Sequence, residues 1–502
     1  MIIKNIIEHN IYKILFGLTI IFLGWFSEMS IINYVNSNTL TYLIPYILLV
    51  LLLIYISITT SKISKTWIKV SIIFFIAFII RLFIILNFKA IPFSDFAVYL
   101  ESANDLVKGN IAKVANDTYY KNFPELLGFI AWDAVLIKIF GYHLTLLRIV
   151  NSFISSLTCV VIYFIGRKFN DNIGIFAALM YSLYPSQIVM TSVFTNQHLS
   201  TFLYLVAILI IQYKLIDESN INKNIIWSTI TGLIIGLANI IRPIAPPIIL
   251  AIIFYFIFKL TKVINKQNIV KLIIILLIPL MYFTVGKVFY YGLYNYNLID
   301  DVNASGDIRY KITVGLNSDS RGQYSNEIGN KFFNISENEK QQMFKQKIIE
   351  NIKNPLILFN LIGEKMQILF SIPDSSYYWL TGQNKSELNS IIQNYPDSEY
   401  EKQHLINIEE YEKIYNSLEI CFNMIIYIFA TIGLYLIYKS NKKEFIKLFV
   451  WIFLGYVGAH CFIEIQPRYR YFLMPIIIVF ASYGIINTYD YIFNKYNRKI
   501  IK

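Results

Sequence analysis

The chain is poor in the residues that carry much of soluble-protein chemistry. Its 502 residues include three cysteines and five histidines. Cys159, Cys421 and Cys461 lie in or near apolar runs, with no disulfide framework and no metal-ligand spacing. Charged residues make up only 15% of the chain against 56% hydrophobic, and mean hydropathy is +0.52. That balance excludes an ordinary soluble domain. Lysine and arginine still outnumber acidic residues by 44 to 32. No basic patch on a soluble domain accompanies the excess, which argues against nucleic acid. Basic residues gathered on cytoplasmic loops account for it. The N-terminal apolar segment lacks a small-residue cleavage site and is followed by further spans, so no cleavable signal peptide is expected.

What the chain does have is a series of apolar runs of about 20 residues, the length that crosses a bilayer. Spans are expected at 13–27, 40–59, 69–88, 144–166, 172–190, 195–213, 226–241, 243–260, 270–291, 417–438, 445–462 and 471–489. The fold class is therefore an all-α polytopic membrane protein of about twelve transmembrane helices. It divides into an N-terminal transmembrane region 1–292 with a first external loop 89–142, an external region 293–416, and C-terminal helices 417–502. Basic turns at Arg167–Lys168, Lys214, Lys259 and Lys442–Lys443 alternate with loops poor in Lys and Arg. The positive-inside rule then puts both termini in the cytoplasm and 89–142 outside. Within 293–416, PLILFNLIGEKMQILFSI is expected as an interfacial helix, because crossing would carry the acidic segment after it inside.

The first loop holds the leading candidate. In SDFAVYLESANDLVKG, Phe96, Tyr99, Leu100, Ala103 and Leu106 fall at helical spacing, with Ser94 as a possible N-cap and Gly109 as a stop. This predicts a short amphipathic helix at the membrane surface, with Asp95 at its start. A carboxylate there can take a proton from an acceptor hydroxyl, or can simply favour the helix dipole. The next segment, FPELLGFIAWDAVLIKIFG, is interrupted by Glu125, Asp133 and Lys138 and reads as interfacial or re-entrant.

Three further clusters face the same side. In IEIQPRYRYFLMP, Arg468 and Arg470 interleave with Tyr469 and Tyr471. Guanidinium groups there suit a phosphate, or anchor the interface, and Glu464 is a possible partner for either. Arg242 stands before Pro243 in a turn between apolar helices, a functional candidate or a snorkelling turn residue. Asn196, Gln197 and His198 open a span. They read as helix-capping groups, or as binders of a sugar hydroxyl; no second histidine lies nearby to make a metal site.

These elements, in this order, resemble the GT-C class of membrane glycosyltransferases. More narrowly, they resemble family 39, the protein O-mannosyltransferases and aminoarabinose transferases. The resemblance rests on PFSDFAVYLESANDLVKG, on NFPELLGFIAWDAVLIKIFG followed by LLRIVNS, on YPSQIVMTSVFTNQHL followed by GLANIIRP, and on QPRYRYFLMP. It implies a sugar donor carried on a polyprenyl phosphate, an active site facing the extracytoplasmic side, and an acceptor that is a protein, glycolipid or wall polymer. It implies that Asp95 is the catalytic carboxylate and that Arg468 and Arg470 meet the donor phosphate; Arg242 is expected to join them. Tyr99, Glu125, Gln197, His198 and Tyr469 are then expected to line the substrate site. No cofactor and no metal are expected, because arginine can hold the leaving phosphate. Two positions depart from many relatives: Asp95 is followed by Phe96 rather than a second acid, and Gln197 stands where a Glu is common. The alternatives are a polymerase or ligase using diphosphate-linked sugars, and a lipid or sugar transporter. The transporter reading lacks a convincing internal repeat.

Overall fold

The computed structural model describes residues 2–37, 40–88, 90–260, 265–374, 376–394, 399–440 and 444–500. Lys442 and Lys443, used above for topology, lie outside them. All regular structure among the described residues is helical. Among the described residues, ten helices are long and apolar enough to cross a membrane, or up to twelve if two bent pairs each count as one span. This fits a multi-pass membrane protein.

The apolar runs become helices with one face inward and the other toward lipid. In Thr66–Asn87 the buried stripe is Lys69, Ile73, Ala77, Arg81 and Ile85, spaced by four. Phe75, Ile79 and Phe83 on the far side are each more than half exposed. Arg81 is fully buried, so its charge must be met within the bundle. Its Nε donates to Ser155 Oγ at 2.6 Å, and its Nη1 to the Ala77 and Ser182 carbonyls at 3.1 and 3.3 Å. One side chain thus ties three helices. Elsewhere small residues set the spacing: Gly433 of Glu399–Ser440 sits against Phe480 and Gly484 of Met474–Ile500, where any Cβ would collide with backbone.

Two expected elements are broken. The run 172–190 is not one straight helix; Asp171–Ser182 and Pro185–Ser192 meet at 60°. Pro185 causes the break, since it disfavours helix at Tyr184 and starts the next segment. PLILFNLIGEKMQILFSI is likewise one arm of a bent pair, Pro355–Ser371 with Ser376–Gly382, at 66°. The run 243–260 gives a short helix, Ala245–Phe258, of 14 residues.

The region 293–416 is helical as well, with Ile308–Gly315, Asn326–Phe333 and Glu337–Lys353. The last of these starts at a capping box between Ser336 and Glu339. Lys365 fastens this region to the bundle. It is fully buried, and its Nζ donates to the carbonyls of Gly315, Cys461 and Ile463 at 2.7, 2.9 and 2.9 Å. That staple lies a few residues before Arg468.

Candidate active site

Asp95 is the first residue of the helix Asp95–Val107, as the spacing predicts, and it is half-buried. The turn into it is strained: Ser94 has φ of 51° and ψ of −139°, a region that favours glycine. Ser94 is the N-cap position but its side chain makes no capping bond. Arg148 braces the approach, donating from Nη2 to the Ala90 carbonyl and from Nε to the Ser192 carbonyl at 3.0 Å. Tyr99, one turn on, is buried and shares a hydrogen bond with Tyr119 across 3.3 Å. Burial first, and then neighbouring negative charge that includes Asp95, pushes both phenols well above their usual range.

Phe96, the neighbour of Asp95, leads to the second element. The guanidinium of Arg468 lies 5.1 Å from the Phe96 ring centre and 5.4 Å from that of Trp379. Trp379 in turn packs against Phe93 and Phe96, at 5.1 and 4.9 Å. Arg468 is 9% exposed, and its Nε and Nη1 have no hydrogen-bond partner among the described residues. A buried cation with free donors is costly unless something pairs with it. The backbone beneath it is fixed by Gln197, whose Nε2 donates to the Arg468 carbonyl at 2.8 Å, and whose Oε1 accepts from Thr195 Oγ1 at 2.8 Å.

Tyr469 carries the site onward to Arg242. The Arg242 guanidinium lies 4.6 Å over the Tyr469 ring and donates to Asn196 Oδ1 at 2.9 Å. Together Arg242 and Tyr469 line a cavity of about 540 Å³, shared with Glu125, Lys287, Lys311 and Glu464. Glu464 pairs with Lys311 at 3.1 Å rather than with Arg468 or Arg470. Burial works against the Lys311 ammonium, but the charge of Glu464, with Tyr469 and Glu125, carries it above the usual lysine range. Burial pushes the Glu125 carboxyl up, and Lys311 draws it partway back.

Two expected site residues have their polar groups engaged within the bundle. Arg470 is fully buried and paired with Glu419, which is also fully buried; like Asp95, Tyr99, Gln197 and Arg468, it is not among the residues lining the cavity. It also donates to the Ile372 carbonyl at 2.8 Å and to Tyr184 Oη at 3.1 Å. His198 is fully buried, with Nε2 2.9 Å from the Met190 carbonyl. Among the described residues no group of three His, Cys, Asp or Glu is placed to hold a metal. Trp379, Lys311 and Glu419 were not picked out by sequence reasoning. The signals available were a lysine in an external segment for Lys311 and an acid beside an apolar run, SLEICFNMII, for Glu419.

No curated protein sequence matches the chain. In structure, the oligosaccharyltransferase of Archaeoglobus fulgidus in complex with an inhibitory peptide and a dolichol-phosphate aligns at a TM-score of 0.46 and 12% identity, over 88% of this chain and 52% of that one. The same enzyme tethered to an acceptor peptide aligns at 0.44 and 14%, over 85% and 50%. The chain therefore spans about half the length of these solved proteins. Residues 127–285 match the family described as dolichyl-phosphate-mannose-protein mannosyltransferase. That segment contains Gln197, His198 and Arg242, and the match bears out the resemblance to GT-C membrane glycosyltransferases read from the sequence.

Proposed function

We propose that the protein transfers a sugar from a polyprenyl-phosphate donor to an acceptor hydroxyl on the extracytoplasmic side, with inversion at the anomeric carbon. The observation that carries this reading is Arg468: a buried guanidinium with free Nε and Nη1, roofed by Trp379 and standing on the residue next to Asp95. Phosphate oxygens satisfy those donors with charge-assisted bonds. Arg242, over the ring of Tyr469, supplies a second cation, while Arg470 serves the scaffold.

In the reaction, Asp95 accepts the proton of the acceptor hydroxyl. The hydroxyl oxygen attacks the anomeric carbon from the face opposite the phosphate, and the carbon–oxygen bond to phosphate breaks. Negative charge grows on the departing lipid phosphate, where Arg468 and Arg242 offset it. The acceptor is a protein, a glycolipid or a wall polymer.

Native mass spectrometry of the detergent-purified protein tests the donor class. A co-purifying polyprenyl monophosphate, or its sugar adduct, that is lost in Arg468→Ala supports the reading. A bound diphosphate lipid that survives that substitution contradicts it.

A further inference from the structure

The stretch of chain that leads into Arg468 is held by a residue far earlier in the sequence. We infer that the ion pair between Lys311 and Glu464 is a positioning device for Arg468, and that the external region 293–416 is thereby a working part of the donor-phosphate site. The inference rests on the phosphate-binding role proposed for Arg468 above.

The helix Phe445–Phe462 ends before the turn Pro467–Phe472 begins, and residues 463–466 between them form no helix. Their backbone groups therefore need partners from elsewhere. The external region supplies them. The Glu464 N–H donates to the Lys311 carbonyl at 2.8 Å, and the Ile465 N–H to the Gly322 carbonyl at 2.9 Å. Lys365 Nζ holds the carbonyls of Cys461 and Ile463. Gly315 lies so close that any Cβ there would strike the backbone of Phe462 and Ile463. Lys311 grips Glu464 a second time, through Nζ to Oε2 at 3.1 Å. Glu464 is 4% exposed, so its carboxylate depends on that partner.

The same ammonium reaches the first loop. Lys311 Nζ lies 5.2 Å from the ring centre of Phe123, which packs at 5.5 Å against Tyr119. Tyr119 shares its hydrogen bond with Tyr99, one turn after Asp95. One side chain thus bears on the loop that carries Asp95 and on the stretch that carries Arg468. The arginine needs such support, because its own Nε and Nη1 are tied to nothing among the described residues. Its aim is set by the backbone beneath it. Gln197 fixes that backbone at the Arg468 carbonyl, and Lys311 with Glu464 fixes its approach.

The test measures the affinity of decaprenyl phosphate for the full chain in nanodiscs. Glu464→Leu removes a negative charge from the neighbourhood of the arginines, so charge alone would tighten binding. Positioning predicts the opposite, a loss of about tenfold, the scale of one charge-assisted hydrogen bond. Lys311→Met should match it. Glu464→Gln keeps an amide oxygen that accepts from Lys311, and should stay within about threefold of wild type. In an Arg468→Ala background neither Glu464→Leu nor Lys311→Met should lower affinity further, because both act through that guanidinium. Unchanged or tighter binding by Glu464→Leu overturns the inference, as does a further loss on top of Arg468→Ala. Should Glu464→Leu not fold, Lys311→Met with and without Arg468→Ala decides in the same way. If Arg468→Ala itself binds the lipid as wild type does, the donor reading fails instead.

Discussion

Gln197 holds the Arg468 carbonyl through a 2.8 Å hydrogen bond from Nε2, joining the start of one membrane helix to a turn 271 residues later in the chain. Both groups are buried, so losing the amide strands a carbonyl and frees the turn that aims the guanidinium. Such a loss costs about 1–3 kcal/mol. Gln197→Ala is therefore expected to raise the donor KM about tenfold, with Gln197→Glu no better, since a carboxylate cannot donate to that carbonyl. Steady-state kinetics in vesicles checks this, and an unchanged KM would detach Gln197 from the site.

Arg468 and Arg470, two residues apart, should fail in opposite ways. Arg470 and Glu419 form a fully buried ion pair. Breaking such a pair from one side costs about 3–5 kcal/mol. Glu419→Gln or Arg470→Met should thus lower the thermal unfolding midpoint sharply. Arg468→Ala removes a buried cation with two unpartnered donors, so its midpoint should move little while donor affinity falls. A destabilised Arg468→Ala protein would assign that residue to the scaffold.

The turn at Ser94 offers a test of stored strain. A non-glycine residue at such backbone angles costs about 1–3 kcal/mol. Ser94→Gly is expected to stabilise the fold by about 1 kcal/mol, while loosening the entry to Asp95 and lowering kcat. Unfolding and turnover measured on the same preparation would show it; a gain in both contradicts the link between strain and the placing of Asp95.

Glu125 gives stability a pH dependence of predictable sign. Its carboxyl is raised above the ordinary 4.5 by burial, although Lys311 opposes the shift. The folded chain then keeps a proton that the unfolded chain releases, so this contribution is present at low pH and declines as pH rises from about 4.5 through the folded value. Glu125→Gln should flatten that part of the profile. Unfolding midpoints measured across mildly acidic to neutral pH test it, and an unchanged slope would mean the carboxyl is not desolvated.

Much of the architecture was legible because a bilayer writes its thickness into the sequence. Spans such as 144–166 and 445–462 correspond closely to Leu144–Arg167 and Phe445–Phe462. Hydropathy marks the membrane, however, and not the helix. The helix Glu399–Ser440 continues well beyond the expected 417–438, through acids such as Glu409 and Glu410. The Asp95 helix was legible too, since its apolar spacing and the stop at Gly109, with φ of 82°, are local. The division of labour between Arg468 and Arg470 was not. Which of two arginines in one motif is free depends on Glu419, 51 residues before Arg470, and on the elbow at Ile372 and Asp374. Glu464 was similarly ambiguous: its partner, Lys311, is 153 residues away.

The most direct test of the account is the turnover of Asp95→Asn with a polyprenyl-phosphate sugar donor in reconstituted vesicles. Asparagine keeps the shape and cannot accept the proton. General-base assistance contributes about 10²–10⁴-fold, so kcat should fall by that factor while donor binding at Arg468 persists. An Asp95→Asn protein with near wild-type turnover would contradict the assignment of Asp95 as the base.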